Sequence, residues 1–174
     1  MSGRPASGPH GGLLELYDEA LPHVYGYLRS RCSTQPLAED LTAETFLAAV
    51  DAVRRPEPPT VDTPWLIGVA RHKLVDHWRR AAREERGLRA VGEPPAGEDP
   101  WEAQLEAIQA RATLDRLGPQ HRAALTLRYL DDLPVPQVAS LLGRTLHATE
   151  ALLVRARAAF RRAYDETGQE AGRD

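Results

Sequence analysis

The sequence predicts an all-α protein made of two small helical domains joined by a flexible linker, the C-terminal one containing a helix-turn-helix. Three observations carry this. Apolar residues recur at spacings of three and four along most of the 174-residue chain, the period of a half-buried helix. The segment GEPPAGEDP, within residues 86–100, combines Pro, Gly and acid in the manner of a disordered spacer. Residues 117–164 read as helix, Pro-punctuated turn, short helix, Gly-centred turn and long basic helix, a layout that places its last helix in a DNA major groove.

Taken from the N-terminus, Leu14, Tyr17, Leu21, Val24 and Leu28 form a helical seam. Pro22 interrupts it and is expected to kink the helix or begin a second segment, because proline removes a backbone donor and clashes with the preceding turn. Pro36 suits the first turn of a second helix running to about Val53. On that helix Asp40, Glu44, Leu47 and Asp51 share one face, an acidic stripe with a leucine in it. The stripe reads either as a solvated face or as a docking surface for a basic partner helix. Pro56, Pro58 and Pro59 then force a semi-rigid loop.

A third helix follows, capped by Asp62 or Thr63 with Pro64 in its first turn. Leu66, Val69, Ala70, Leu74 and His77 are expected to point inward, while Trp65, Gly68, His72, Asp76 and Arg79 gather opposite and Arg71, Lys73, Arg80 and Arg83 add charge. Aromatic rings interleaved with cations suit single-stranded nucleic acid, where bases stack and phosphates need positive charge. Trp65 and Trp78 are equally explicable as packing residues.

In the C-terminal half, Ala124, Leu127 and Leu130, widened by Ala123 and Leu125, form a stripe over residues 120–130 that Asp131-Asp132-Leu133-Pro134 ends. Val135, Val138, Ala139 and Leu142 mark the short second helix. Gly143 stands where a helix C-terminus favours positive φ, and Thr145 is placed to cap the next helix. In that last helix Thr149, Leu153, Ala156 and Phe160 fall in a narrow arc, leaving His147, Glu150, Ala151, Val154, Arg155, Arg157, Arg161 and Arg162 outward.

The net charge of −3 and pI near 6.1 exclude a generally basic coat, so DNA contact requires segregated charge. That segregation is present: residues 13–51 and 92–115 are acidic, 66–90 and 143–164 basic. The single cysteine, Cys32, excludes an intramolecular disulfide and a cysteine zinc cage. No apolar run reaches membrane-spanning length, and MSGRPASGPHGG lacks a signal-peptide core. The expected compartment is the cytoplasm, without membrane insertion. His72, Asp76 and His77 could bring two ligands to one helix face, but cations surround them and HExxH is absent. Asp131-Asp132 lacks the further ligands of a calcium loop. With no glycine-rich phosphate loop and no Ser-His-Asp arrangement, the chain is expected to be a non-enzyme without catalytic residue, cofactor or metal.

The strings LYDEALPHVYGYLRSR, AEDLTAETFLAAV and TPWLIGVARHKLVDHWRR, followed by the helix-turn-helix, resemble bacterial sigma factors of the extracytoplasmic-function group, and the match covers nearly the whole chain. The order of blocks is the specific signal, since helix-turn-helix segments alone are common. The resemblance implies a tail at 1–12, a region 2 domain at 13–85 for core binding and minus-10 melting, a linker at 86–100, a region 4 domain at 101–166 for the minus-35 element, and a tail at 167–174. It implies polymerase core as a partner, through its clamp coiled coil and flap, and promoter DNA as duplex and melted strand. An anti-sigma factor is a further candidate.

Carried residue by residue, the resemblance assigns core binding to Asp40, Leu41, Glu44, Phe46, Leu47 and Asp51. Minus-10 DNA falls to Trp65, Arg71, His72, Lys73, Asp76, Arg79 and Arg80, with the Pro-rich loop framing a pocket for a flipped base. Minus-35 DNA falls to Arg144, Thr145, His147, Ala148, Glu150, Ala151, Arg155 and Arg157. The chain departs from the family's pattern at Ala43, where glutamine is common, and at Glu150 and Leu152, where basic residues are common. From the residues alone three rivals remain: a helix-turn-helix regulator independent of polymerase, a helical interaction protein with a decayed DNA surface, and a metalloenzyme built on His72, Asp76 and His77.

Overall fold

The computed structural model describes the backbone over residues 9–87 and 102–171, and side chains over 15–86 and 108–166. All regular structure among the described residues is helical: α1 (Pro9–Arg29), α2 (Gln35–Val53), α3 (Thr63–Gly87), α4 (Glu102–Arg116), α5 (Pro119–Leu125) continuing into a π turn (Thr126–Leu130), α6 (Val135–Leu142) and α7 (Leu146–Ala171). Contacts divide the chain into two compact units between Leu74 and Val75, inside α3.

In the N-terminal unit α1 packs on α2. Its core is built from Ala20, Val24 and Leu28 of α1, Ala38, Leu41, Ala49 and Ala52 of α2, and Leu66, Ala70 and Leu74 of α3, all buried. The buried hydroxyls of Thr42 and Thr45 donate to the carbonyls of Ala38 and Leu41, each at 2.7 Å, so no polar group is stranded there. α2 starts at the Thr34 cap, whose Oγ1 accepts from the Leu37 N–H at 3.4 Å. Pro22 begins no second segment, since α1 runs through it. The expected tail is also shorter: α1 begins at Pro9, although Gly11 and Gly12 each cost about 1 kcal/mol relative to alanine in a helix. Leu14 lies outside the described side chains.

In the C-terminal unit α4, α5 and α6 all pack on α7. Leu117, Leu125, Ala156, Ala159 and Ala163 form one buried cluster, with Leu114 and Phe160 packed against it. α4 was not among the expected helices, although Leu105, Ile108 and Ala112 recur along it at spacings of three and four. Its C-terminus is held by Arg122 of α5, which donates to the carbonyls of Leu114 at 2.9 Å, Asp115, and Leu117 at 3.3 Å, a cation on the negative end of a helix. Arg116 of α4 also pairs with the buried carboxylate of Glu166 on α7 at 3.7 Å.

Leu130 departs from its expected core position and is 51% exposed. The cause is the π turn, in which the Asp131 N–H donates to the Thr126 carbonyl at 3.0 Å, five residues back instead of four, so the apolar stripe rotates out of register. Asp132 then adopts φ 51°, turning the chain toward α6. Of the expected linker, Arg86 and Gly87 belong to α3, and the rest lies outside the described residues. The expected tail at 167–174 is helical as far as Ala171.

Candidate polymerase and nucleic-acid interfaces

Three surfaces carry the sequence-derived candidates. The first is on α2, where Asp40, Glu44, Leu47 and Asp51 are all exposed. Leu47 is 63% exposed between the carboxylates, a single apolar foothold within an acidic stripe. Two of the expected contact residues are placed differently. Leu41 is 4% exposed and faces the core, because one step along α2 turns it about 100° away from Asp40. Phe46 is half-buried and packs on Tyr17 of α1, ring centroids 4.7 Å apart. Both support the acidic face from beneath. Ala43 is exposed, offering a methyl where glutamine is common.

The second surface is on α3. Asp62 is the cap, its Oδ1 accepting from the Trp65 N–H at 2.8 Å, so Thr63 is the first helical residue. The inward face is Leu66, Ala70, Leu74 and Val75, continuing through Trp78 at 3% exposure. Trp78 is thus a packing residue, while Val69 and His77, expected inward, are half-buried. Trp65 is half-buried as well. His72, Asp76, Arg79 and Arg80 are exposed, and Arg71 and Lys73 half-buried. His72 Nδ1 lies 2.8 Å from the Gly68 carbonyl, Arg79 pairs with Asp76 at 3.9 Å, and Lys73 pairs with Glu44 of α2 at 3.3 Å. Among the described residues no three His, Cys, Asp or Glu side chains converge as metal ligands.

The third surface is the helix-turn-helix. α6 closes with Gly143 at φ 64°, ψ 40°. The Gly143 N–H donates to Ser140 at 3.1 Å and the Arg144 N–H to Ala139 at 2.9 Å, the paired bonds of a Schellman turn. Thr145 then caps α7, its Oγ1 accepting from the Ala148 N–H at 3.2 Å. Buried on α7 are Thr149, Leu152, Leu153, Ala156, Ala159 and Ala163. Phe160, expected in that arc, is half-buried. Leu152 lies on the inward side, so the departure there takes no cation from the outward arc. His147, Glu150, Val154, Arg155, Arg157, Arg161 and Arg162 are exposed, with Ala148 and Ala151 half-buried between them.

Two side chains absent from the sequence reading touch this surface. Gln120 Oε1 of α5 accepts from Arg144 Nη2 at 2.6 Å, and Tyr129 Oη of the π turn accepts from Arg157 Nη1 at 3.3 Å. Each pairing spans more than twenty residues of sequence, beyond the reach of periodicity. Beside the Tyr129–Arg157 pair lies an apolar groove of about 360 Å³ lined by Leu114, Leu125, Tyr129, Leu130 and Phe160 and edged by Arg157 and Arg161.

Comparison with known proteins places both halves. The family described as Sigma-70 region 2 matches residues 16–84, and that described as Sigma-70, region 4 matches residues 107–160. The chain is 31% identical over 159 residues to the ECF RNA polymerase sigma factor BldN of Streptomyces coelicolor, covering 88% of this chain and 60% of that protein's length. It is 26% identical to the ECF RNA polymerase sigma factor SigM of Bacillus subtilis, covering 87% of this chain and 94% of the relative. Among solved structures, the sigma factor RpoE in complex with the anti-sigma factor NepR from Bartonella quintana shares the fold, with a TM-score of 0.50 and 19% identity over 86% of this chain and 94% of that one. The chain belongs to the sigma-70 family, in its extracytoplasmic-function group.

Proposed function

We propose that this protein directs promoter-specific initiation by binding core RNA polymerase and promoter DNA, and that it works as a binding subunit in the cytoplasm, without catalysis of its own. The supporting observation is the exposed arc of α7, where Arg155, Arg157, Arg161 and Arg162 stand out on a helix entered through the Gly143 and Thr145 turn. A generic helix-turn-helix regulator would share that arc. It would have no task for the acidic face of α2 or for the cations and Trp65 of α3, which region 2 of the family accounts for.

In this reading Asp40, Glu44, Leu47 and Asp51 dock on the basic clamp coiled coil, with Leu41 and Phe46 holding α2 in place. Trp65, His72, Lys73, Asp76, Arg79 and Arg80, with Arg71, meet the melted minus-10 strand. Unstacking a base costs a few kcal/mol, which stacking and phosphate contacts offset. On α7, Arg144, Arg155 and Arg157 attract the backbone of the minus-35 duplex, Thr145 holds the helix N-terminus, and His147, Ala148, Glu150 and Ala151 face base edges. The apolar groove beside the π turn suits the flap. An anti-sigma factor is a candidate partner, as NepR is for RpoE.

The test is run-off transcription with purified core polymerase on a pool of promoters. Transcripts from a defined subset, dependent on this protein, are expected and report the promoter motif together with the activity. Duplex binding without any core-dependent transcript would leave the regulator as the better reading.

A further inference from the structure

Arg144 and Arg157, two of the arginines assigned to the minus-35 surface, each donate to a neutral oxygen. Arg144 Nη2 donates to the amide Oε1 of Gln120 at 2.6 Å, and Arg157 Nη1 donates to the phenol of Tyr129 at 3.3 Å. These bonds flank the recognition helix, one before its N-terminus and one on its fourth turn, and both acceptors come from the α5–π-turn segment. On α3 the arrangement is different, since Lys73 is held by the carboxylate of Glu44.

The difference matters for binding a polyanion. A guanidinium has five N–H donors, so giving one to an amide or phenol leaves the rest available and the full positive charge intact. A carboxylate in the same place would cancel that charge and compete with phosphate. A neutral acceptor therefore orients the cation before DNA arrives without reducing its attraction, and lowers the ordering cost on binding.

We propose that Gln120 is a positioning residue that presents Arg144 to the minus-35 backbone, and that Tyr129 does the same for Arg157. The π turn is part of the device. Its extra residue rotates the end of the helix, carrying Leu130 out of the core and leaving Tyr129 54% exposed beside α7. The inference rests on the reading of α7 as the minus-35 surface, and it adds two residues with a stated requirement: they must accept a hydrogen bond and carry no charge.

The test uses the full chain with core polymerase and a labelled promoter duplex recovered from the transcription pool, with affinity measured across a salt series. Arg144→Gln should lower the slope of log K against log salt by about one, the loss of one phosphate contact. Gln120→Glu should reproduce that loss although Arg144 is still present, because the new carboxylate neutralises it. Gln120→Met, which removes the acceptor without adding charge, should keep the slope and weaken binding roughly three- to tenfold, the cost of ordering one side chain. Tyr129→Phe should behave like Gln120→Met at an exposed site where folding is not in question. A wild-type slope in Gln120→Glu, with Arg144→Gln reduced, overturns the positioning role and leaves the DNA surface standing. Unchanged affinity in both Gln120→Met and Tyr129→Phe also overturns it. A wild-type slope in Arg144→Gln overturns the positioning role and the minus-35 reading together.

Discussion

Glu44 and Lys73 form an ion pair at 3.3 Å that ties the acidic face of α2 to the cation-bearing helix α3. Their side chains are 51% and 35% exposed, so the pair contributes at most about 1 kcal/mol to stability. Its importance is one of bookkeeping between surfaces: any change at Glu44 also changes the environment of Lys73.

That coupling decides how the core contact is tested. Charge reversal at Glu44 would set two cations side by side and disturb α3 as well as α2, so the informative variants are Asp40→Lys and Leu47→Asp. Leu47 is the exposed apolar residue of the face, and Leu47→Asp should lower core affinity at least tenfold while leaving the melting temperature within the small range of surface substitutions. Asp40→Lys should do the same at low salt, with the loss relative to wild type shrinking as salt rises. Pull-down with core polymerase and thermal unfolding read both effects, and retained core affinity in both variants would remove α2 from the interface.

The two tryptophans of α3 should separate cleanly. Trp78 is 3% exposed, and Trp78→Ala should destabilise the protein by about 3–5 kcal/mol through the cavity it leaves. Trp65 is half-buried, and Trp65→Ala should reduce open-complex formation on duplex promoters more than on pre-melted templates, with core binding retained. Equal losses on the two templates would make Trp65 a packing residue too.

Glu150 is exposed on the outward arc of α7, where it cannot attract phosphate but can accept a hydrogen bond from a cytosine amino group. Glu150→Lys should strengthen binding to many duplexes and blur the minus-35 preference, whereas Arg155→Ala should weaken binding almost uniformly and flatten its salt dependence. Competition between promoter and scrambled duplexes distinguishes them. If Glu150→Lys changes neither affinity nor preference, α7 does not read the minus-35 element as assigned.

At the turn into the recognition helix, Gly143 holds φ 64°, a region that costs a side-chain-bearing residue roughly 1–2 kcal/mol. Gly143→Ala should lower unfolding free energy by about that amount, and Gly143→Asn by less, since asparagine tolerates the left-handed region. Denaturant unfolding measures both. A neutral Gly143→Ala would mean that the turn relaxes to another conformation.

What the sequence by itself determined is whatever a few consecutive residues decide: helical periods, a cap at Asp62 or Thr63 that the structure gives to Asp62, the Thr145 cap, and the left-handed closure at Gly143. Glycine's freedom and the reach of a capping oxygen act within one turn, so their signals survive in a linear string. The outward arc of α7 and the acidic stripe of α2 were legible for the same reason, as was the family resemblance carried by the order of blocks. Tertiary structure decided what depends on distant neighbours. Which tryptophan is buried, that Leu41 and Phe46 lie beneath the α2 face, and that Glu44 meets Lys73 all follow from how helices pack. The π turn had no local signature, yet it turned Leu130 outward, and packing brought Tyr129 to Arg157 and Gln120 to Arg144. Helix periodicity records which side faces the core; it does not record which residue of another helix waits there.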